Sequence, residues 1–353
     1  MLVSICLPVF NGEQYLADAI SSALNQTHEN IELLISDDQS TDGSWEIIQT
    51  FSRRDQRIKT LRNEERLGLF QNYNCTIAGA EGEFVKLFAQ DDLLAPNAVA
   101  LMADALEENK TVSIAACGKS ILEDKPLSSL GRRGKRIGEA KVHEHAQAGV
   151  LEAPQASNAE RQAADLQSAL NPGKLVILKC LRQYRNLVGE PVAVMFRRSL
   201  VDAGFSQDYR SIGDLEYWFR LLEKGDLYYI PEKLVTFRQH PESRTSHLLQ
   251  DLDWLLDFPR LSKQYKHYLD DLGIERSAYC SRFLELAAPL VKDYASEDDQ
   301  FIDSLPPYKE LAYYLLKRLP AALDGESNYN SVLNSTSWKV TKPLRLLKGK
   351  LEK

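Results

Sequence analysis

The sequence predicts an α/β fold, a mostly parallel central sheet flanked by helices, with a helical region after it. Three observations predict this. Through residue 118, short β-rich runs alternate with amphipathic helical stretches, the pattern of βαβ units. Polar segments carrying paired aspartates follow the second and fourth runs. Beyond Ser246 the apolar residues recur at helical spacing, as in Leu252, Leu255 and Leu256, then Leu284, Leu286 and Leu290.

Val3 to Val9 reads as a buried strand. Asn11-Gly12 turns the chain into a helix over Glu13 to Gln26, with Leu16, Ala19, Ile20, Ala23 and Leu24 on one stripe. Ile31 to Ser36 is the second strand, and the loop from Asp37 to Ser44 is rich in residues that cap helices, here one carrying Trp45, Ile48 and Phe51. Ile58 to Leu61 is the third strand, followed by a turn at Gly68 and a helix through Ala80. Phe84 to Phe88 is the fourth strand. It ends at Asp91-Asp92, and Pro96 begins a helix reaching Glu108, proline being suited to a first turn. Val112 to Cys117 closes the series. Residues 118–188, with Arg132, Arg133, Lys135 and Arg136, read as a variable insertion. Regular structure resumes with a strand at Val192 to Phe196, a helix at Asp214 to Lys224, and a strand from Leu227 to Tyr229 leading to Phe237. The expected organisation is a catalytic domain over 1–246 and a helical region with a basic tail over 247–353.

Composition narrows the function classes. At 353 residues, 44% hydrophobic and 26% charged, the chain supports a packed core. A net charge of -7 argues against a broad nucleic-acid footprint. Five scattered cysteines, none in a Cys-x-x-Cys pair, fit neither a disulfide framework nor a zinc site and suit a reducing compartment. Without a basic leader or a run of about eighteen apolar residues, the expected location is cytoplasmic.

In an open parallel sheet, ligands bind beyond the carboxyl ends of the strands. The loops after the first, second and fourth strands carry Pro8-Val9-Phe10-Asn11-Gly12, Asp37-Asp38 and Asp91-Asp92, so carboxylates should converge on one crevice. A divalent cation, Mn²⁺ or Mg²⁺, held together with substrate phosphate oxygens would relieve their repulsion. The single Gly12 is too little for a dinucleotide fingerprint.

The runs Leu7 to Gly12, Asn25-Gln26-Thr27, Ile35 to Ser44 and Gln90-Asp91-Asp92 closely resemble family 2 glycosyltransferases of the GT-A fold. The resemblance resumes at Gly189-Glu190-Pro191, then Phe196-Arg197-Arg198, Asp214 to Trp218, Arg220-Leu221-Leu222 and Arg238-Gln239-His240. It implies an inverting transfer of a sugar from a nucleotide-diphosphate donor, UDP- or dTDP-sugar favoured, to a glycan or lipid-linked glycan hydroxyl. The implied setting is bacterial polysaccharide, lipopolysaccharide or capsule synthesis.

The implied nucleotide-sugar contacts are Pro8, Phe10, Asn11, Glu13, Asp38, Arg66 and Asp91, with Phe10 against the base and Asp38 accepting an imide N–H. Asp92 is the first choice of metal ligand, with Asp91 and His240 beside it; Asp214 matches the catalytic base; Glu190 and Trp218 lie on the acceptor side. Ala89 stands where many relatives have the first aspartate of an Asp-x-Asp pattern, and Gly213 where they have glutamate. Plainer readings exist for several of these. Asp37, Ser40 and Asp42 also read as helix caps, His240 as a surface histidine, Trp218 as core and Arg66 as a solvated cation. Residues 337–353, with Trp338 and leucines among lysines, suit either an anionic membrane face or docking on the protein's own domain. A metal-dependent nucleotidyltransferase and a non-catalytic sugar-binding or scaffold relative are the rival functions.

Overall fold

The computed structural model describes residues 1–123, 166, 169–240, 254–280 and 282–283. The arginine cluster at 132–136, the leucines from 284 to 290 and the basic tail lie outside the described residues. The described part of the first unit, residues 1–123 and 166–240, contains a nine-stranded sheet. Its strands in chain order are β1 (Val3–Val9), β2 (Ile31–Asp37), β3 (Ile58–Arg62), β4 (Phe84–Leu87), β5 (Leu93–Leu94), β6 (Val112–Glu123), β7 (Ala169–Asn171), β8 (Val194–Arg197) and β9 (Asp226–Gln239). The helices are α1 (Leu16–Leu24), α2 (Ser44–Ser52), α3 (Leu69–Ala78), α4 (Ala98–Glu108), α5 (Gly173–Gln183) and α6 (Gly213–Leu222).

The spatial order is β3-β2-β1-β4-β8-β6-β9-β5, with β7 also on β9. β1 pairs in parallel with β2 from Val3–Ile31 to Val9–Asp37, and on its other side with β4. Every residue of β1 is buried, because helices cover both faces of a parallel strand; this explains its near-continuous apolar run. Ile5, Leu7 and Val9 form the core with Leu16, Ile20 and Ala23 of α1 and Val99, Met102 and Leu106 of α4.

The sheet is mixed, and the antiparallel strand β8 places half of the site. It lies between β4 and β6, with Phe84 opposite Arg197 and Ile114 opposite Phe196. A strand of reversed direction begins where its neighbours end, so Gly189 to Val192, entering β8, arrive at the carboxyl edge of β4 and β6.

The predicted strand at 112–117 is longer in the structure, running to Glu123 beside β9. The register between them slips at Gly118, which faces Pro231 and Glu232. Proline cannot donate to the ladder, and a Cβ on residue 118 would lie 2.6 Å from the Pro231 carbonyl oxygen. Past this bulge the two strands continue together and carry Lys119 and Arg238 beyond the sheet edge. The far end of the predicted insertion is also regular: β7 and α5 occupy 169–183.

The described residues of the second unit form α7 (Trp254–Gln264) and α8 (Lys266–Asp271) and continue helical near Tyr279. Leu261, Tyr265, Leu269, Tyr279 and Phe283 are buried, and Phe258 and Phe283 meet with ring centroids 4.8 Å apart. No helix among the described residues is long and apolar enough to cross a membrane.

Candidate active site

The site is built from three groups of residues at the carboxyl edge of the sheet. The first joins the loops after β1 and β2. Pro8 is buried in β1, and Phe10 is half-buried at its exit. The guanidinium of Arg66 lies 3.8 Å above the Phe10 ring centroid, so the arginine is stacked on the platform assigned to the base.

Asn11 and Glu13 have other partners. The Asn11 side-chain oxygen accepts the Thr41 amide at 2.8 Å, and a Glu13 carboxylate oxygen accepts the Gly43 amide at 2.9 Å. In return the Asn11, Gly12 and Glu13 amides donate to Ser40 Oγ, Ser44 Oγ and Asp42 Oδ2 at 3.0, 2.8 and 3.0 Å. The two loops are thus stitched together, and these side chains spend their polar atoms on the stitching. Asn11 adopts a left-handed conformation (φ 49°), which asparagine tolerates better than most residues. Asp37 accepts the Ser40 amide at 3.2 Å and the Arg62 Nε at 3.1 Å, and Asp42 accepts the Ser44 amide at 3.0 Å. Both carboxylates brace the loop itself, and neither is the cap of α2, whose N-cap is Gly43 with no side-chain cap hydrogen bond.

Asp38 is 2% exposed. Its Oδ1 accepts Asn63 Nδ2 at 2.9 Å and the Leu67 amide at 2.8 Å, and its Oδ2 accepts the Gly68 amide at 2.8 Å. An ionised carboxylate accepts about four hydrogen bonds. Asp38 therefore fastens the loop that carries Arg66 and keeps one acceptor position, on Oδ2, for anything else.

The second group joins the acidic loop to the end of β9. Asp91 Oδ2 and His240 Nε2 are 3.0 Å apart, and the two side chains are 21% and 13% exposed. Asp92 is 1% exposed, and its Oδ1 accepts the Arg238 amide at 2.8 Å. The Arg238 Nε donates to the Asp91 carbonyl at 2.9 Å. Asp92 thus points inward and fixes the strand that delivers His240, while Asp91 faces the opening. Burial, then the adjacent Asp91 charge, pushes the Asp92 carboxyl well above the ordinary carboxylate range against the opposing Arg238 hydrogen bond. The sequence puts Asp92 first among the metal ligands; in the structure Asp91 with His240 is the more exposed pair. The ring of Tyr15 lies between this histidine, centroids 5.0 Å apart, and the Arg238 guanidinium, 4.4 Å away.

The third group surrounds Asp214 in the first turn of α6. Its Oδ1 accepts the Leu215 amide at 2.8 Å and its Oδ2 accepts Asn186 Nδ2 at 3.0 Å. Burial chiefly, with the Glu190 charge adding to it, pushes the Asp214 carboxyl up to about 7 despite these hydrogen bonds. Glu190 is ion-paired with Lys119, whose ammonium also lies 5.1 Å from the Phe237 ring centroid. Burial raises Glu190, but the Lys119 charge together with hydrogen bonds from Lys119 and the backbone outweighs it and holds the carboxyl below its usual range. Two carboxylates in one neighbourhood therefore titrate apart, the arrangement that lets one act as base near neutral pH.

Trp218 is fully buried in an aromatic cluster with Phe196, Phe205 and Tyr217, and its Nε1 donates to the Gly189 carbonyl at 3.0 Å. This corrects its assignment as an acceptor platform: it is core, and it supports the Glu190 loop from beneath. Asn186 and Lys119 are the residues that sequence reasoning missed. No periodic signal marks either, and each acquires meaning only through the antiparallel entry into β8 and the bulge at Gly118.

Tyr73 is buried near the second group. Its hydroxyl donates to the Phe88 carbonyl at 2.9 Å, and burial followed by the charges of Asp92, Asp91 and, more weakly, Asp214 pushes the phenol far up.

The arrangement suits a divalent ion of the Mg²⁺ or Mn²⁺ kind. Asp91 and His240 offer two donor atoms 3.0 Å apart, and the described residues contain no cluster of three or more metal-ligating side chains. Such ions are commonly held by one or two carboxylates, with water and substrate phosphates completing the shell.

Comparison with known proteins agrees with this geometry. Residues 4–153 match the model of Glycosyl transferase family 2. An uncharacterized glycosyltransferase of Haemophilus influenzae is 24% identical over 245 residues, 69% of this chain and 68% of that one. TarS 1–349 of S. aureus in complex with UDP-GlcNAc aligns with a TM-score of 0.54 at 15% identity, covering 90% of this chain and 79% of that one. The mannosyltransferase PcManGT of Pyrobaculum calidifontis, in complex with GDP-Man and Mn²⁺, aligns with a TM-score of 0.53 at 16% identity, covering 98% and 82%. The chain thus carries a Glycosyl transferase family 2 match over residues 4–153 and shares the fold of these glycosyltransferase structures.

Proposed function

We propose that this glycosyltransferase inverts the anomeric centre, taking a sugar from a UDP- or dTDP-linked donor to a hydroxyl of a glycan or lipid-linked glycan. The observation that carries this reading is the pair of arrangements at the carboxyl edge of the sheet: Asp91 set against His240, and Asp214 held by Asn186 and the Leu215 amide with its carboxyl pushed up to about 7. The first suits a diphosphate and its cation; the second suits proton removal.

Asp214 acts as the base. A sugar hydroxyl is a poor nucleophile, and a carboxylate withdrawing its proton as the new bond forms contributes on the order of 10² to 10⁴ in rate. A base with its pKa near the working pH combines adequate ionisation with adequate basicity. Glu190, kept ionised by Lys119, lines the acceptor side. Asp91 and His240 hold the metal; when bound, a divalent cation stabilises the charge building on the leaving diphosphate. Attack from the side opposite that diphosphate inverts the anomeric carbon. Phe10, with Arg66 stacked on one face of its ring, lies beside the base, and the remaining acceptor position of Asp38 Oδ2 takes the imide N–H of a pyrimidine.

The sequence resemblance supports a place in bacterial polysaccharide, lipopolysaccharide or capsule synthesis, with the enzyme cytoplasmic and peripheral on the inner membrane face through residues 337–353. Calorimetric titration with UDP-, dTDP- and GDP-sugars, with and without Mn²⁺, tests the donor site. Pyrimidine preference and Mn²⁺-dependent affinity are the expected results. Equal affinity for GDP-sugars would remove the role given to Asp38, and metal-independent binding and turnover would remove that of Asp91 with His240.

A further inference from the structure

We propose that Asn186 is a positioning residue for the reaction: its side-chain amide aims the Asp214 carboxylate and locks the Glu190-bearing loop to it in a single frame. The inference rests on Asp214 being the base.

The geometry leaves the amide one orientation. Asn186 Oδ1 accepts the backbone amides of Val188 and Gly189 at 3.1 and 3.0 Å. Two N–H donors can meet only the carbonyl oxygen of the side chain, so Nδ2 is the atom that faces the other way. Nδ2 then donates both to the Gly189 carbonyl at 3.1 Å and to Asp214 Oδ2 at 3.0 Å. All four contacts are used, and the Gly189 carbonyl is held a second time by Trp218 Nε1. Gly189 itself sits at φ 113°, a conformation that side chains avoid, so the loop needs this external bracing.

Two consequences follow for Asp214. With the Leu215 amide on Oδ1 and Asn186 on Oδ2, both oxygens are held in place, and each keeps one acceptor direction for the acceptor hydroxyl. A donor aimed at Oδ2 also favours the ionised carboxylate, the form a base requires. The other groups near Asp214 are Glu190 from the loop before β8, itself paired with Lys119 of β6, and the neutral phenol of Tyr73 on α3. Glu190 disfavours ionisation and the Leu215 amide favours it, so among the described side chains hydrogen-bonded to Asp214, Asn186 is the donor that assists its ionisation.

Substitution separates a bracing role from an aiming one. Asn186→Asp keeps an oxygen for the Val188 and Gly189 amides but replaces the donor facing Asp214 by an acceptor; Asn186→Ala removes both. Full-length protein labelled with [¹³Cγ]aspartate, in which the Asp214 signal is identified by its absence in Asp214→Asn, gives the titration midpoint directly. The wild-type midpoint should lie near 7. Asn186→Ala should raise it by about one pH unit, the equivalent of one hydrogen bond to a charged group, and Asn186→Asp by more. UDP binding and thermal melts establish that each variant is folded.

Midpoints unchanged in both folded variants would overturn the inference. If Asn186→Ala fails to fold, Asn186→Asp alone decides it. The base assignment is tested separately by UDP release from UDP-GlcNAc and UDP-glucose. Loss of release in Asp214→Asn with unmoved midpoints in the Asn186 variants would sink the aiming role and leave the base; full release in Asp214→Asn would remove the base itself.

Discussion

Gln90 grips the backbone of Phe10 from both sides. Its Oε1 accepts the Phe10 amide at 2.8 Å and its Nε2 donates to the Phe10 carbonyl at 3.0 Å, so one side chain pairs with the β1 exit as a neighbouring strand would. The residue preceding Asp91 thereby ties the exit of β1 at Phe10 to the acidic loop. The grip explains Gly12 as well, since a Cβ there would sit 2.7 Å from Gln90 Cδ.

Gln90→Ala removes two hydrogen bonds worth about 1 kcal/mol each, part of which orders the donor site. UDP affinity in the presence of Mn²⁺ should fall roughly tenfold, measured by calorimetry. Unchanged affinity would show that the two loops are positioned independently.

Asp91 and Asp92, adjacent in sequence, should respond in opposite ways. Asp91→Asn removes the exposed ligand, so Mn²⁺ stimulation should be lost while the melting temperature stays near wild type. Asp92→Ala strands the buried Arg238 amide at a cost of about 1–3 kcal/mol. It should lower the melting temperature by several degrees and misplace His240, whereas Asp92→Asn, which keeps an acceptor oxygen, should be milder. Differential scanning calorimetry alongside a Mn²⁺ titration checks each variant.

Asp214 links pH to both rate and stability. Turnover should rise with pH through about 7 as the base ionises. Stability runs the other way. The unfolded carboxyl loses its proton near 3.8 while the folded one keeps it until about 7, so the folded protein binds the extra proton in that window. This group's contribution to stability therefore declines as pH rises from 3.8 to about 7, and Asp214→Asn should flatten that part of the curve. Urea unfolding at several pH values measures it.

The fold was legible where side-chain period and burial speak directly. Val3–Val9, Ile31–Asp37, Phe84–Leu87 and the helix ending at Glu108 fall within a few residues of expectation because both faces of those strands are covered and α4 presents one apolar stripe. The extension of β6 to Glu123 was hidden, because past Gly118 the run Lys119-Ser120-Ile121-Leu122-Glu123 loses the continuous apolar character of the earlier part and the strand persists by pairing with β9 beyond the Pro231 bulge. Within the site, residue types pointed to the right loops, but orientation decided the roles. Asp91 and Asp92 are indistinguishable by composition; the Arg238 amide turns one inward. Trp218 could not be told from a platform until the aromatic cluster enclosed it. Asn186 carries no pattern at all, since its four partners come from its own loop and from α6.

Gly68 supports the nucleotide side through its backbone. It lies at φ 83°, ψ 166°, a region nearly exclusive to glycine, and its amide donates to Asp38. Nothing lies within 4 Å of a Cβ built there, so Gly68→Ala probes conformation alone. A loss of about 1–3 kcal/mol is expected, together with weaker UDP binding as the Arg66 loop loosens. Thermal melts and UDP titration are the checks.

Proton removal by Asp214 is the step on which the proposed transfer depends. Asp214→Asn, nearly isosteric, tests it most directly when donor binding and turnover are measured on the same sample. The account predicts that calorimetric affinity for a UDP-sugar with Mn²⁺ stays within about twofold of wild type while UDP release drops by on the order of 10² to 10⁴. Turnover at the wild-type rate, with donor binding intact, would contradict it.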